Sequence, residues 1–252
     1  MSMRKNGFSL IELMIAITIS MVGLIAVGNN YTSSRHTYKL QSMQSALTEE
    51  GLYALSMMQR VISQAGFRQS PAQEIAADHI AISANGLTLK FEADGTNLIG
   101  CNGAVPAAAA AQTLVIKKTS DGKLQCGAID WIAPAVSGTG NSSEVVDFQV
   151  KFGIDTGPTG TIANFGCGVT LGDGTKPRDC IADSYVTALP TGVTADQIMA
   201  VKLCLLLRSE ASDSSLVKAA AVKNCSGVDV ANTQSDHKLY RVFRTTILLK
   251  NR

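Results

Sequence analysis

Two hydrophobic periods divide the chain near residue 68. Residues 8 to 28, FSLIELMIAITISMVGLIAVG, form an apolar run broken by one charge, Glu12. A helix rises about 1.5 Å per residue, so this run spans roughly 30 Å, the thickness of a bilayer's hydrocarbon core. The pattern then turns amphipathic. Leu40, Met43, Leu47, Gly51, Ala54, Met58, Val61 and Ala65 recur at spacings of three and four, and Leu52, Leu55 and Ile62 widen the stripe. No proline precedes Pro71, which predicts one helix from Phe8 to about Gly66, roughly 88 Å long. Its second half is expected to pack on the protein's own sheet, because the heptads are too few and too poorly charged for a parallel coiled coil. Gly23, Gly28, Asn29 and Asn30 are weak helix formers, so fraying or bending is expected there.

After Gln69 the period shortens to two. HIAIS and GLTLKFEA flank Asn85-Gly86, and LVIKKTS and KLQCGAI flank Asp121-Gly122; both dipeptides are strong hairpin signals. Further strands are predicted at 145–154, 198–208 and 239–249. Gly-, Thr- and Ala-rich stretches at 134–143, 156–177 and 187–196 read as loops, as does the alanine run 107–111 after Pro106. The expected fold class is α+β, a long N-terminal helix packed on a mostly antiparallel β-sheet head. The implied boundaries are 1–7 for a leader, 8–28 for the spanning half of the helix, 29–68 for its amphipathic half and 69–252 for the head.

Charge and cysteines bear on the compartment. The net charge of +2 comes entirely from Arg4 and Lys5, and the rest of the chain is balanced. Nucleic-acid binding is therefore not indicated by overall charge, although a local patch stays open. Basic residues ahead of an apolar span hold the N-terminus in the cytoplasm and send the remainder across. Cys101, Cys126, Cys167, Cys180, Cys204 and Cys225 all follow the span, as expected for disulfides in an oxidising compartment. None is spaced for zinc, and His36, His79 and His237 lie far from them in sequence. Six cysteines allow 15 pairings. Sequential pairing (101–126, 167–180, 204–225) is preferred, since each bond closes a loop flanking a hairpin or a strand end.

Little in the chain points to catalysis. There is no Gly-x-Ser-x-Gly, and no base stands next to a candidate nucleophile. The glycine-rich segment 166–174 lacks the Lys-Ser/Thr of a phosphate loop. Asp173 and Asp179 lack the alternating acids of a calcium loop and read as solvated turns. His36 and Tyr38 suit a membrane interface, and Trp131 reads as core or edge packing. Neither catalysis, nor a cofactor, nor a metal is expected. Glu12, one turn inside the helix, is the exception that needs a reason. A carboxylate costs about 2.5–3.5 kcal/mol at the membrane centre, and although the cost is smaller near the helix start it still asks for an explanation.

Gly7-Phe8-Ser9-Leu10-Ile11-Glu12 resembles the processing site of type IV prepilins: a basic leader ending in Gly, then Phe, then Glu before an apolar run. The resemblance implies that a prepilin peptidase cuts after Gly7 and that Phe8 is N-methylated. It also implies that Glu12 pairs with the N-terminal amine of a neighbouring subunit. The segments TEEGLYALSMMQRVISQAGFR, VVDFQVKFGIDT, IMAVKLCLLLRSE and RVFRTTILLKNR resemble the PilW-type minor pilins of Gram-negative bacteria. That implies a structural subunit that helps initiate pilus assembly or sits in a tip complex. The implied partners are other minor pilins, the major pilin, a large tip adhesin-like protein, the prepilin peptidase and an inner-membrane assembly platform. The implied location is the inner membrane with a periplasmic head, and later the pilus fibre. Two other readings stay open: a minor pseudopilin of type II secretion, which shares the leader and helix, and an adhesin or DNA-binding subunit. The loops carrying Cys167 and Cys180 have no counterpart in the resemblance.

Overall fold

The computed structural model describes residues 9–70, 73, 76, 78–83, 86–135, 142–156 and 179–251. They fall into two compact units, one ending at Ser42 and one beginning at Met43. Helix α1 spans Leu10–Ile62. It is unbroken through Gly23, Gly28, Asn29 and Asn30. Two glycines each cost about 1 kcal/mol against alanine, which cooperative neighbours in so long a helix absorb.

In the second unit α1 buries Met43, Leu47, Gly51, Ala54, Met57, Met58, Val61 and Ile62. This is the predicted stripe with two corrections. Leu52 is 55% exposed, because it sits about 100° round the helix from Gly51 and faces away from the sheets. Met57, absent from the predicted stripe, lies about 40° beyond Val61 round the helix and forms the edge of the buried arc.

The strands form two antiparallel sheets rather than one. The first is a meander of β1 (Ile80–Ser83), β2 (Gly86–Glu92), β3 (Ala111–Lys118), β4 (Leu124–Cys126) and β5 (Ile129–Ile132), paired in chain order. The second contains β6 (Ser143–Ile154), β7 (Ser184–Val186), β8 (Ile198–Ser209) and β9 (Tyr240–Leu248), in the order β7-β6-β8-β9. Strands twist by about 20–25° from one to the next, so one nine-stranded sheet could not keep its apolar face on a single helix stripe. Two shorter sheets can. The short strands β5 and β7 were not expected, since three or four residues show no readable alternation. Of the predicted turns, Asp121-Gly122 closes β3–β4 with Gly122 at φ 78°, while Asn85 lies outside the described residues. The alanine run is loop up to Ala110, and Ala111 opens β3.

Alternation places Leu87, Leu89 and Phe91 of β2 in the core, with Leu87 opposite Ile116 and Leu89 opposite Leu114 on β3. On β8 the inward set is Val201, Leu203, Leu205 and Leu207. Strand β6 changes phase at an irregularity between Val145 and Asp147. Val145 faces the core before it, and Phe148, Val150 and Phe152 after it. An extra residue of this kind re-aims a strand without ending its pairing. Two polar ties join α1 and the turn just after it to the head. Gln64 donates to Ile99 O at 3.3 Å and accepts from Ile99 N at 2.5 Å. Glu50 accepts from Ser143 N at 3.0 Å, while its burial pushes the carboxyl pKa up.

Candidate functional site

The N-terminal unit is where assembly chemistry would occur. Ser9 stands immediately before α1, and Glu12 occupies the third helical position. Ser9 N donates to Glu12 Oε2 at 3.0 Å, which is one half of a capping box. The spacing Ser-x-x-Glu was visible in the sequence but is overshadowed there by the membrane argument. A carboxylate at this position also faces the positive end of the helix dipole.

Beyond the cap, Leu10, Ile11, Leu13, Met14, Ile15, Ile17, Ile19, Val22, Leu24, Ile25 and Val27 are all more than half exposed. Among the described residues α1 is the one helix long and apolar enough to cross a membrane. Two hydroxyls of its apolar half are satisfied internally: Thr18 Oγ1 donates to Ile15 O at 2.8 Å and Ser20 Oγ to Ala16 O at 2.7 Å. That arrangement suits an apolar surrounding, where an unpartnered polar group costs several kcal/mol. Gly7 and Phe8, the expected cleavage and methylation positions, lie outside the described residues.

In the head, Cys101 bonds Cys126 and Cys204 bonds Cys225. The first ties the loop before β3 to β4. Trp131, buried beside it, donates from Nε1 to Cys101 O at 2.8 Å, so it packs in the core as expected. The second ties the segment between β8 and β9 to the outward face of β8, where Cys225 N also donates to Asp147 Oδ2 at 2.9 Å. Cys167 lies outside the described residues. Cys180 is half-buried at φ 70°, with its N–H on Asp155 Oδ2 at 2.8 Å. Asp179 accepts from Ile181 N at 2.8 Å, as a turn residue does. Among the described residues no group of three or more His, Cys, Asp or Glu is placed to hold a metal.

The 21-residue separation of Cys204 and Cys225 makes a testable contribution. Cys204→Ser with Cys225→Ser should lower the head's unfolding free energy by about 2–4 kcal/mol. Denaturant unfolding of the full chain in detergent, under non-reducing conditions, measures this. An unchanged midpoint would mean that Asp147 and the surrounding packing hold the segment without the bond.

An exposed apolar helix at the N-terminus, capped by a carboxylate, with two antiparallel sheets folded on the helix's later turns, defines a pilin-like subunit. The prokaryotic N-terminal methylation motif matches residues 2–28. The type IV pilus-assembly protein W family matches residues 113–251, more than half of the chain, and the chain belongs to that family. No curated protein matches it. Among solved structures it is similar to a type IV-like pilin from Thermus thermophilus, at 15% identity and a TM-score of 0.43, over 81% of this chain and 97% of that one. As a pilin-family structural protein it acts in the context of other pilins, anchored through α1.

Proposed function

We propose that this chain is a minor pilin that helps start type IV pilus assembly or sits in the complex at the tip. The observation that carries the reading is the extent of the family match through the head, from β3 to the end of β9, together with the separate methylation motif. A shared leader and helix alone would fit a type II secretion pseudopilin equally well. In this reading the head is periplasmic before assembly, and the peptidase cuts after Gly7 and leaves an N-methylated Phe8. Glu12 then meets the Phe8 amine of a neighbour, and Cys167 pairs with Cys180. Partners are other minor pilins, the major pilin, a large tip adhesin-like protein and the inner-membrane assembly platform.

Mass spectrometry of the membrane-extracted protein tests the processing step. The mature chain should begin at methylated Phe8, and Gly7→Val should leave uncut precursor, because a branched side chain would crowd the peptidase site. An N-terminus at Met1, or a cut after the apolar run, would falsify the prepilin reading. Deleting the gene tests the role: pilus number should fall sharply while the major pilin accumulates in the membrane. Normal piliation with lost protein secretion would instead identify a pseudopilin.

A further inference from the structure

The outward face of the second sheet carries a cluster of cations on three adjacent strands. Lys151 on β6 and Lys202 on β8 are direct cross-strand partners, and Arg244 on β9 lies opposite Cys204, diagonal to Lys202. Like charges directly opposite each other destabilise a sheet. None of the three has an acidic partner among the described residues. The nearest acid along β6 on this face, Asp147, is already engaged by Cys225 N. At the other end of β8 the opposite choice was made, where Arg208 meets Glu144 at 2.6 Å. The unpaired cations are therefore a local feature and do not reflect a uniformly basic surface.

These cations share a hollow of about 220 Å³ with Gln149, Tyr185 and the Cys204–Cys225 bond. Tyr185 on β7 is 41% exposed, and Lys202 Nζ lies 5.1 Å from its ring centroid. Gly153 makes room for that ring, since a Cβ there would stand 2.9 Å from Tyr185 Cε1. The disulfide pins the far wall, and Gln149 Nε2 donates to Ser226 Oγ at 2.7 Å. The disulfide and the sheet hold the floor, and the three cations rise from adjacent strands whose backbones run about 4.8 Å apart.

We propose that this face binds the phosphate backbone of single-stranded nucleic acid, with Tyr185 as a stacking surface for a base. Long cationic side chains rising from adjacent strands suit a ligand whose negative charges are held close together and repeat along it. Isolated carboxylates of a protein partner seldom are. A flanking aromatic ring adds a base-stacking contact that is worth about 1–3 kcal/mol in single-strand binding sites. An acidic glycan could meet the cations but gains little from the ring.

Fluorescence anisotropy of a labelled oligothymidylate tests this, with the full chain in a neutral detergent at low salt. Three phosphate contacts predict that log K falls against log salt with a slope of about −2, at roughly −0.7 per contact on single strands. Lys202→Gln alone should reduce the slope by about 0.7, and the triple change Lys151→Gln, Lys202→Gln, Arg244→Gln should abolish binding. All three side chains reach solvent, and the unfolding midpoint of each variant checks that the head still folds. Tyr185→Ala should weaken oligothymidylate several-fold and leave heparin unaffected. Undiminished binding by the triple variant would overturn the proposal. So would polyglutamate competing as well as the oligonucleotide, which would make the ligand an acidic polypeptide. Indifference to Tyr185→Ala would also overturn it, pointing to an acidic polysaccharide.

Discussion

Glu12→Ala should leave membrane insertion and cleavage at Gly7 intact while nearly eliminating this subunit from sheared pili. Removing a carboxylate from an apolar span makes insertion easier, if anything. On the proposed pairing with a neighbour's Phe8 amine, assembly should suffer because that amine would then be buried without its counter-charge. Breaking one partner of a buried ion pair costs about 3–5 kcal/mol, which corresponds to roughly a 100-fold or greater loss of incorporation. The structure adds a second role that must be separated from the first, since Glu12 also caps its own helix through Ser9 N. Glu12→Gln separates them: its amide oxygen can still accept the Ser9 bond, but the charge is gone. Both variants should therefore be excluded from pili to a similar degree, as quantified by immunoblot of sheared fibres against membrane fractions. Normal incorporation of Glu12→Gln beside exclusion of Glu12→Ala would assign the residue to capping alone. Normal incorporation of both would leave α1 as an anchor.

Gly51→Ala should destabilise the head, although the same change in an isolated helix would stabilise it. Glycine in a helix interior costs roughly 0.5–1 kcal/mol against alanine, so intrinsic propensity favours the substitution. Packing opposes it. A Cβ at Gly51 would lie within 3.0 Å of three ring carbons of Phe243, and that ring is itself buried on β9, with 7% exposure. Overpacking of a fixed core costs about 1–3 kcal/mol, enough to reverse the sign. Thermal unfolding should show a drop of several degrees for Gly51→Ala and a larger one for Gly51→Val. Phe243→Leu should be damaging alone, yet should offset much of the Gly51→Ala loss in the double variant, because the two positions share one contact. Additive losses would show that the helix and β9 shift apart instead of clashing.

Gly51 also shows how the sequence could be read in part. The spacing of three and four placed it on the buried stripe, but nothing local said that an aromatic ring nearly 200 positions later fills the space above it. The same division holds at the candidate site. Glu12 stands out from sequence alone because a carboxylate in an apolar run is costly wherever it occurs. Its bond to Ser9 came from the structure, although the Ser-x-x-Glu spacing carries the signal for it. The basic face was not legible: Lys151, Lys202 and Arg244 are scattered over more than ninety positions in a chain whose charge is balanced. Only the register of β6, β8 and β9 makes them neighbours.

The chain by itself therefore determined what depends on local periodicity and on single residues in a hostile solvent. These are the apolar span, the amphipathic continuation of α1, the Asp121-Gly122 turn and the alternating strands. Tertiary structure alone decided which strands share a sheet, where β6 shifts phase, and that Leu52 faces outward while Met57 is buried. It also turned the preferred pairing of Cys204 with Cys225 into a bond lying across the outer face of β8. Periodicity fixes which side of an element is apolar, because that is a property of a few adjacent residues. Which surface covers that side depends on register and twist, and these are set by contacts between residues far apart in the chain.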